Sequence, residues 1–307
     1  MSLTRVLVTG AAGFIGSHVA DHLEKSGYEV LRSDLLVRNS HFDGWKRADF
    51  TKPGEMDEVT HGIDAVCHVG GVADVYLATA NPQLALEVNA VGTLNLLEAC
   101  KRNKVKRLVY ASTWEVYGNP RYQPIDEEHP CFPQHPYNIS KFAGELFVRS
   151  YGLRGAPATV ALRLGTGYGQ GMRTNAVIPT FVLKAMRGER VEIQGSGEQF
   201  RQFTHISDIT EAFRLALESP ELVPVFNIVS PEETSIRALA AMIDARIPLA
   251  TIVREPRRSD IPPAHIDATL ARDRLGWRPR IQFKNGLNSL IDDYLKSSLV
   301  GSGASSR

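Results

Sequence analysis

Tyr137 and Lys141 stand four residues apart, and Pro136 before them suits the first position of a helix, so both side chains are expected on one helical face. A phenol and an ammonium held together can move a single proton. Tyrosine, with an ordinary pKa of about 10, is a poor base at neutral pH, but a neighbouring ammonium favours its phenolate by charge attraction. Upstream, the run Ser112-Thr113-Trp114-Glu115-Val116-Tyr117-Gly118 offers the Thr113 hydroxyl to share that proton. A Tyr and a Lys one turn apart also arise by chance, so the surrounding elements must decide.

Those elements alternate strand and helix. Leu3 to Thr9 reads as a buried strand, and Gly10-Ala11-Ala12-Gly13-Phe14-Ile15-Gly16 turns out of it into a helix that ends near Ser26, with Gly27 as its stop. Glycines in such a turn let backbone approach a pyrophosphate closely, and the free N–H groups at the helix start attract the anion. Gly10, Gly13, Phe14, Ile15 and Gly16 are therefore expected at a dinucleotide. A second strand from Glu29 ends at Asp34, placed to accept hydrogen bonds from the adenosine ribose. Its charge would repel a 2′-phosphate, which favours NAD over NADP, with Arg32 and Arg38 near enough in sequence to act the other way.

Asp49 and Phe50 follow an irregular stretch, in a place where such folds contact adenine; a solvated loop aspartate is the other reading. Ala65 to Val69 is a third strand, and Gly70-Gly71 after it would let backbone lie against the cofactor. Asn81-Pro82 opens a helix to about Asn103, with Leu84, Val88, Val91, Leu94 and Leu97 spaced as its apolar face. Asn89 on that helix is either an orienting donor or a polar core residue. Lys106 to Ser112 is the strand that delivers Thr113, and Ala158 to Arg163 is another. This alternation predicts an α/β fold, a Rossmann-type doubly wound parallel sheet with ligands beyond the strands' carboxyl ends. Between them, Asn119 to His135 carries four of the 17 prolines and the acidic run Asp126-Glu127-Glu128, and reads as a solvated loop at the site's mouth.

Composition narrows the partners. Lys+Arg 35 against Asp+Glu 34 gives a net charge of +1, which supplies no field for nucleic acid or an anionic membrane. Cys67, Cys100 and Cys131 form neither a disulfide framework nor a metal-ligand cluster, so no metal is expected and a reducing cytoplasm fits. The start of the chain carries no apolar signal core, and no run of about 18 apolar residues occurs.

From Val6 to about Leu295 the chain resembles the extended short-chain dehydrogenase/reductase superfamily, in its nucleotide-sugar epimerase, dehydratase and decarboxylase branch. The resemblance lies in the glycine turn at Gly10, Gly13 and Gly16, the segment at 112–118, Pro136 to Lys141, Gly195 to Phe203, and Arg257-Arg258-Ser259-Asp260. It implies that Tyr137 takes the proton of a sugar hydroxyl at C4 as NAD takes the hydride. Lys141 would lower the tyrosine pKa and hold the nicotinamide ribose, and Thr113 would orient the hydroxyl. Val69, Asn89 and Ser112 join the expected cofactor contacts. Arg201 and Arg257, with Asp260, match the diphosphate clamp, a role that suits forked guanidinium donors. At Thr166 many relatives have an Asn touching the sugar nucleotide.

Two departures bear on the reaction. The acid that expels water in dehydratases corresponds to Trp114, which has no proton to give, whereas Glu115 keeps the place of a base at C5. The resemblance therefore implies a 4-epimerase acting on a nucleotide sugar, with a UDP-sugar first among substrates. The alternatives are a dehydratase or decarboxylase using Glu115, with a non-catalytic NAD-binding regulator as the reading from another class. A homodimer pairing through the helices around Leu84–Leu97 and Lys141–Tyr151 is implied as well. The expected organisation is an NAD-binding domain over 1–163 with 202–230, a smaller C-terminal substrate lobe over 164–201 with 231–299, and a disordered tail over 300–307. In it, Gln202 to Ile206 is a strand returning to the main sheet.

Overall fold

The computed structural model describes residues 4–36, 44–155, 157–220, 224–255 and 264–303. Seven parallel strands make the main sheet: β1 (Arg5–Thr9), β2 (Glu29–Asp34), β3 (Trp45–Arg47), β4 (Ala65–His68), β5 (Arg107–Thr113), β6 (Ala158–Leu164) and, after an excursion, β10 (Val225–Ile228). Their order is β10-β6-β5-β4-β1-β2-β3. The winding reverses between β1 and β4, which opens a crevice beyond their carboxyl ends. Every residue of β4 and β5 is buried, as expected of strands covered by helices on both faces.

On one face α1 (Phe14–Lys25) and α8 (Ile206–Glu218) pack Val19, Leu23, Ile209 and Phe213 against Val8, Cys67, Val109 and Leu162. On the other, α2 (Pro53–Thr60), α5 (Gly92–Arg102) and α6 (Pro136–Leu153) pack Met56, Leu96, Leu97 and Val148 against Leu7, Val66 and Leu108. Before α5 run α3 (Val75–Ala80) and α4 (Pro82–Leu86), and Asn81 caps α4 by accepting from Leu84 N at 3.1 Å. From α4 the chain passes into α5 through one π turn, Glu87–Val91. The extra residue of a π turn rotates the later turns of the helix about its axis. The apolar face read from an unbroken helix is therefore displaced: Ala85, Ala90 and Leu96 are buried, whereas Val91 is 46% exposed.

β7 (Thr166–Tyr168), β9 (Phe200–His205) and β11 (Glu233–Ser235) form a separate three-stranded sheet. The segment around Gln202–Ile206 is thus a strand as expected, but it does not rejoin the main sheet. α7 (Val177–Met186), α9 (Ile236–Asp244) and α10 (Phe283–Gly303) enclose a second core with Phe203, Leu239, Phe283 and Ile291, beside a short pairing of β8 (Val191–Gln194) with β12 (Thr251–Arg254). Helix α10 continues to Gly303, so 300–303 are helical rather than a disordered tail; 304–307, like Arg38, Arg257 and Asp260, lie outside the described residues. Among the described residues no helix is long and apolar enough to cross a membrane.

Candidate active site

Gly10 and Gly70 meet at the crevice. Gly10 has φ +67°, and a Cβ built on it would stand 2.5 Å from Gly70 Cα, so the turn after β1 lies directly on the loop after β4. A Cβ on Gly16 would fall 2.0 Å from Gly10 O, which lets α1 start against the turn itself. Gly13 caps α1 without a side-chain hydrogen bond, leaving the helix's first amides to an anion. The Asp34 carboxylate accepts from Ala12 N at 3.1 Å and Leu36 N at 3.0 Å, holding its position at the end of β2. Arg32 is turned onto Asp21 and Glu24, both at 2.7 Å, and so is occupied on α1.

A buried polar chain fixes the loop after β4. Thr93 Oγ1 donates to Asn89 O at 2.6 Å, so it receives the Nε2 proton of His68 at 3.1 Å. His68 Nδ1 then accepts from Thr9 Oγ1 at 2.8 Å, and that oxygen accepts from Val69 N and Gly70 N. Burial, with Lys141 nearby, drives the His68 pKa down to about 3, so the imidazole stays neutral and the chain keeps one polarity. Asn89, on the π turn, accepts from Val72 N at 2.8 Å and donates to Val72 O and to Ser140 Oγ. Ser140 in turn donates to Tyr137 O. Asn89 thus ties the cofactor loop to the helix that carries the tyrosine. Sequence reasoning misses His68, Thr9 and Thr93, although a histidine ending an apolar strand is a visible signal.

Ile15, Val69, Gly71, Ser112, Thr113, Tyr137 and Lys141 line one cleft of about 120 Å³, open to solvent. Thr113 ends β5 and caps the 3₁₀ turn Trp114–Tyr117 by accepting from Glu115 N at 3.3 Å; its hydroxyl also bonds the Tyr137 hydroxyl. Pro136 opens α6, so Tyr137 and Lys141 share a face. The charge effect differs from the expected one. Burial and the Glu115 carboxylate hold the Tyr137 phenol above its ordinary range, opposed by Thr113 and Arg173. Lys141 Nζ lies 4.2 Å over the Tyr110 ring, and burial pushes its pKa down to about 7 against the pull of Glu145. Burial thus opposes the charge on Lys141 and the charge on Tyr137 alike.

Gly165 lines this cleft and also a second, narrower pocket with Trp114, Thr166, Phe200, Arg201 and Ile266. The two spaces are neighbours, with Thr166 and Arg201 brought together in the second. Glu115 is half-buried beside them: its Oε2 has no hydrogen-bond partner, and burial raises its pKa to about 7 against Arg201 and Arg173. Trp114 packs with Tyr117, Ile125, Val229 and Ile266.

Three further residues expected at the cofactor also have partners within the protein. The Ser112 hydroxyl turns inward to Glu145 Oε2 at 2.6 Å. Asp49 accepts from Thr51 N and Oγ1, closing its own turn, and Phe50 lies edge-on to His68 and against Gly70 as packing. Glu127 is not simply solvated; it accepts from Asn227 N at 2.6 Å. Arg173, which reaches Asp74 at 2.9 Å across the cleft mouth, belongs to no motif.

A glycine turn at the sheet's switch point, with a Thr, a Tyr and a Lys converging beside it, defines an enzyme of the short-chain dehydrogenase/reductase type. The chain belongs to the NAD dependent epimerase/dehydratase family, whose sequence profile matches residues 6–229, and NAD is its cofactor. A putative UDP-glucose 4-epimerase of Methanocaldococcus jannaschii is 30% identical over 94% of this chain and 97% of its own. UDP-glucuronic acid decarboxylase 1 of Xenopus tropicalis is 31% identical over 95% and 72%. The fold superposes on UDP-glucose 4-epimerase of Thermotoga maritima, solved with UDP-glucose, with TM-score 0.88 and 28% identity over 96% of this chain and 99% of that one. The chain is accordingly an NAD-dependent enzyme of the nucleotide-sugar epimerase/dehydratase family, whose matched relatives include a decarboxylase.

Proposed function

We propose that the protein is a nucleotide-sugar 4-epimerase, working on a UDP-sugar through a transient 4-keto intermediate. The observation that carries this is the convergence of Thr113, Tyr137 and Lys141 in one cleft that adjoins the cavity of Thr166 and Arg201. The sugar would occupy the first and the diphosphate the second. Gly10 to Gly16, Asp34 and the Gly70-Gly71 loop would hold NAD, whose chemistry is to accept the hydride from C4 and return it. Tyr137 takes the C4 hydroxyl proton and later gives it back to the C4 oxygen of the turned sugar. Thr113 shares that proton, and Lys141, one turn along, supplies a cation that a bound ribose hydroxyl can meet.

Trp114 supports epimerisation over dehydration, since an indole packed among apolar side chains gives no proton to a leaving hydroxyl. Glu115 supports a second reading, a decarboxylase or dehydratase, because a carboxylate with one buried, unpartnered oxygen and a pKa of about 7 is suited to proton transfer near Tyr137. Mass spectrometry decides between them. The purified protein should release NAD on denaturation, and a panel of UDP- and GDP-sugars should give an isomer of unchanged mass. Loss of water or carbon dioxide from any of them would instead establish the lyase.

A further inference from the structure

In the epimerase reading Glu115 has no task, yet its surroundings are unusual for a spectator. It directly follows Trp114, which shares the second cavity with Arg201, and its backbone N–H sits on the hydroxyl of Thr113. One carboxylate oxygen is buried without a partner, which makes the charged form costly. The groups that act on it come from three other elements: Tyr137 from α6, Arg201 from β9 and Arg173 from the loop after β7. The two arginines favour the ionised carboxylate, and the ionised carboxylate in turn opposes ionisation of the Tyr137 phenol.

An anion placed at Arg201 offsets the guanidinium charge and adds its own negative charge next to Trp114. Both effects push a proton onto Glu115. We propose that Glu115 couples substrate binding to the catalytic base: when a diphosphate docks at Arg201, the Glu115 carboxylate takes up one proton from water and its charge beside the Tyr137 hydroxyl disappears. The proton is the only species exchanged, and it ends as the O–H of a neutral carboxylic acid. Tyr137 then reaches its phenolate form, the form that takes the sugar proton, more readily in the complex than in the free enzyme. Glu115 acts here through Tyr137, as a positioning residue for charge rather than as the group that touches the reacting carbon. This rests on reading the Arg201 cavity as the diphosphate site.

The test is titration calorimetry of the NAD-loaded Tyr137→Phe protein with UDP-glucose, in buffers of different ionisation enthalpy. That background prevents turnover and removes any titration of the phenol. With a Glu115 pKa of about 7, roughly half a proton should be taken up at pH 7. Uptake should vanish in Tyr137→Phe/Glu115→Gln, with NAD still bound and the same unfolding midpoint at pH 5. With Tyr137 intact, affinity for UDP-glucose should fall as pH rises above 7, by up to about tenfold per unit, and Glu115→Gln should flatten that fall. Binding without proton uptake, or uptake that survives Glu115→Gln, overturns the coupling while leaving the diphosphate site standing. Absence of any binding heat overturns the site reading and the coupling with it.

Discussion

Glu145 on α6 and Arg163 on β6 form a fully buried ion pair, with Arg163 Nη2 donating to Glu145 Oε1 at 2.6 Å and Nε to Oε2 at 3.2 Å. Ser112 donates to the same carboxylate, and the guanidinium lies 4.6 Å over the Tyr117 ring. The helix that carries Tyr137 and Lys141 is thereby fastened beside the strand that carries Thr113. Removing one partner strands a charge in the interior, so Arg163→Ala should lower stability by about 3–5 kcal/mol in urea unfolding. Glu145→Leu/Arg163→Met, which removes both charges, should recover most of that loss. A double variant no more stable than the single one would mean that packing, rather than the stranded charge, sets the cost.

Tyr137→Phe keeps the ring in its place and removes the proton carrier. Turnover of a UDP-sugar should fall by about 10²–10⁴-fold, with NAD still retained. Thr113→Val should lower turnover less, because it removes the hydroxyl bonded to Tyr137 but leaves the phenol. Unchanged turnover in Tyr137→Phe would return the chain to the non-catalytic reading.

Much of this site is legible in the sequence because its signals are local. A glycine turn between a strand and a helix, and a Tyr and a Lys one helical turn apart, declare themselves within a dozen residues. Asn81 as a helix cap is equally plain. The hidden parts depend on distance or on small departures from regularity. Arg173 reaches Asp74 across 99 positions of sequence, and no local rule pairs them. The π turn at Glu87–Val91 displaces a helix face that even spacing puts elsewhere. β7 and β11, at three residues each, are too short to show alternation, so the sequence pattern assigns β9 to the wrong sheet. Ser112 has the position of a cofactor contact, but its hydroxyl serves Glu145, a partner visible only after folding.

The pH dependence of stability carries a signature of Glu115. Its folded pKa of about 7 lies above the ordinary value of 4.5, so between those values the folded state binds a proton that the unfolded state has lost. Stability from this group is therefore present below about pH 4.5 and is lost as pH rises through 7, by an amount on the order of 3 kcal/mol. His68 acts in the opposite sense, since its pKa of about 3 is depressed and its contribution is lost as pH falls from about 6.5. The difference between wild type and Glu115→Gln isolates the carboxylate. Urea unfolding at pH 5 and pH 7.5 should show the variant gaining on wild type at the higher pH, and parallel behaviour would mean that Glu115 is hydrated in the folded protein.

A homodimer is expected from the surface beside the site. Leu86 and Val91 project from α4 and the π turn, and Ile139, Leu146 and Phe147 from the adjoining α6, all 38–48% exposed. An apolar patch shared by neighbouring helices is costly to leave in water, and a second copy presenting the same face is self-complementary to it. Light scattering at micromolar concentration should give twice the 33.8 kDa chain mass, and Leu146→Glu should shift the protein toward monomer. Because α6 also carries Tyr137, dissociation should slow turnover by loosening the start of that helix. A wild-type mass of one chain would reject the dimer and leave this apolar face to some other partner.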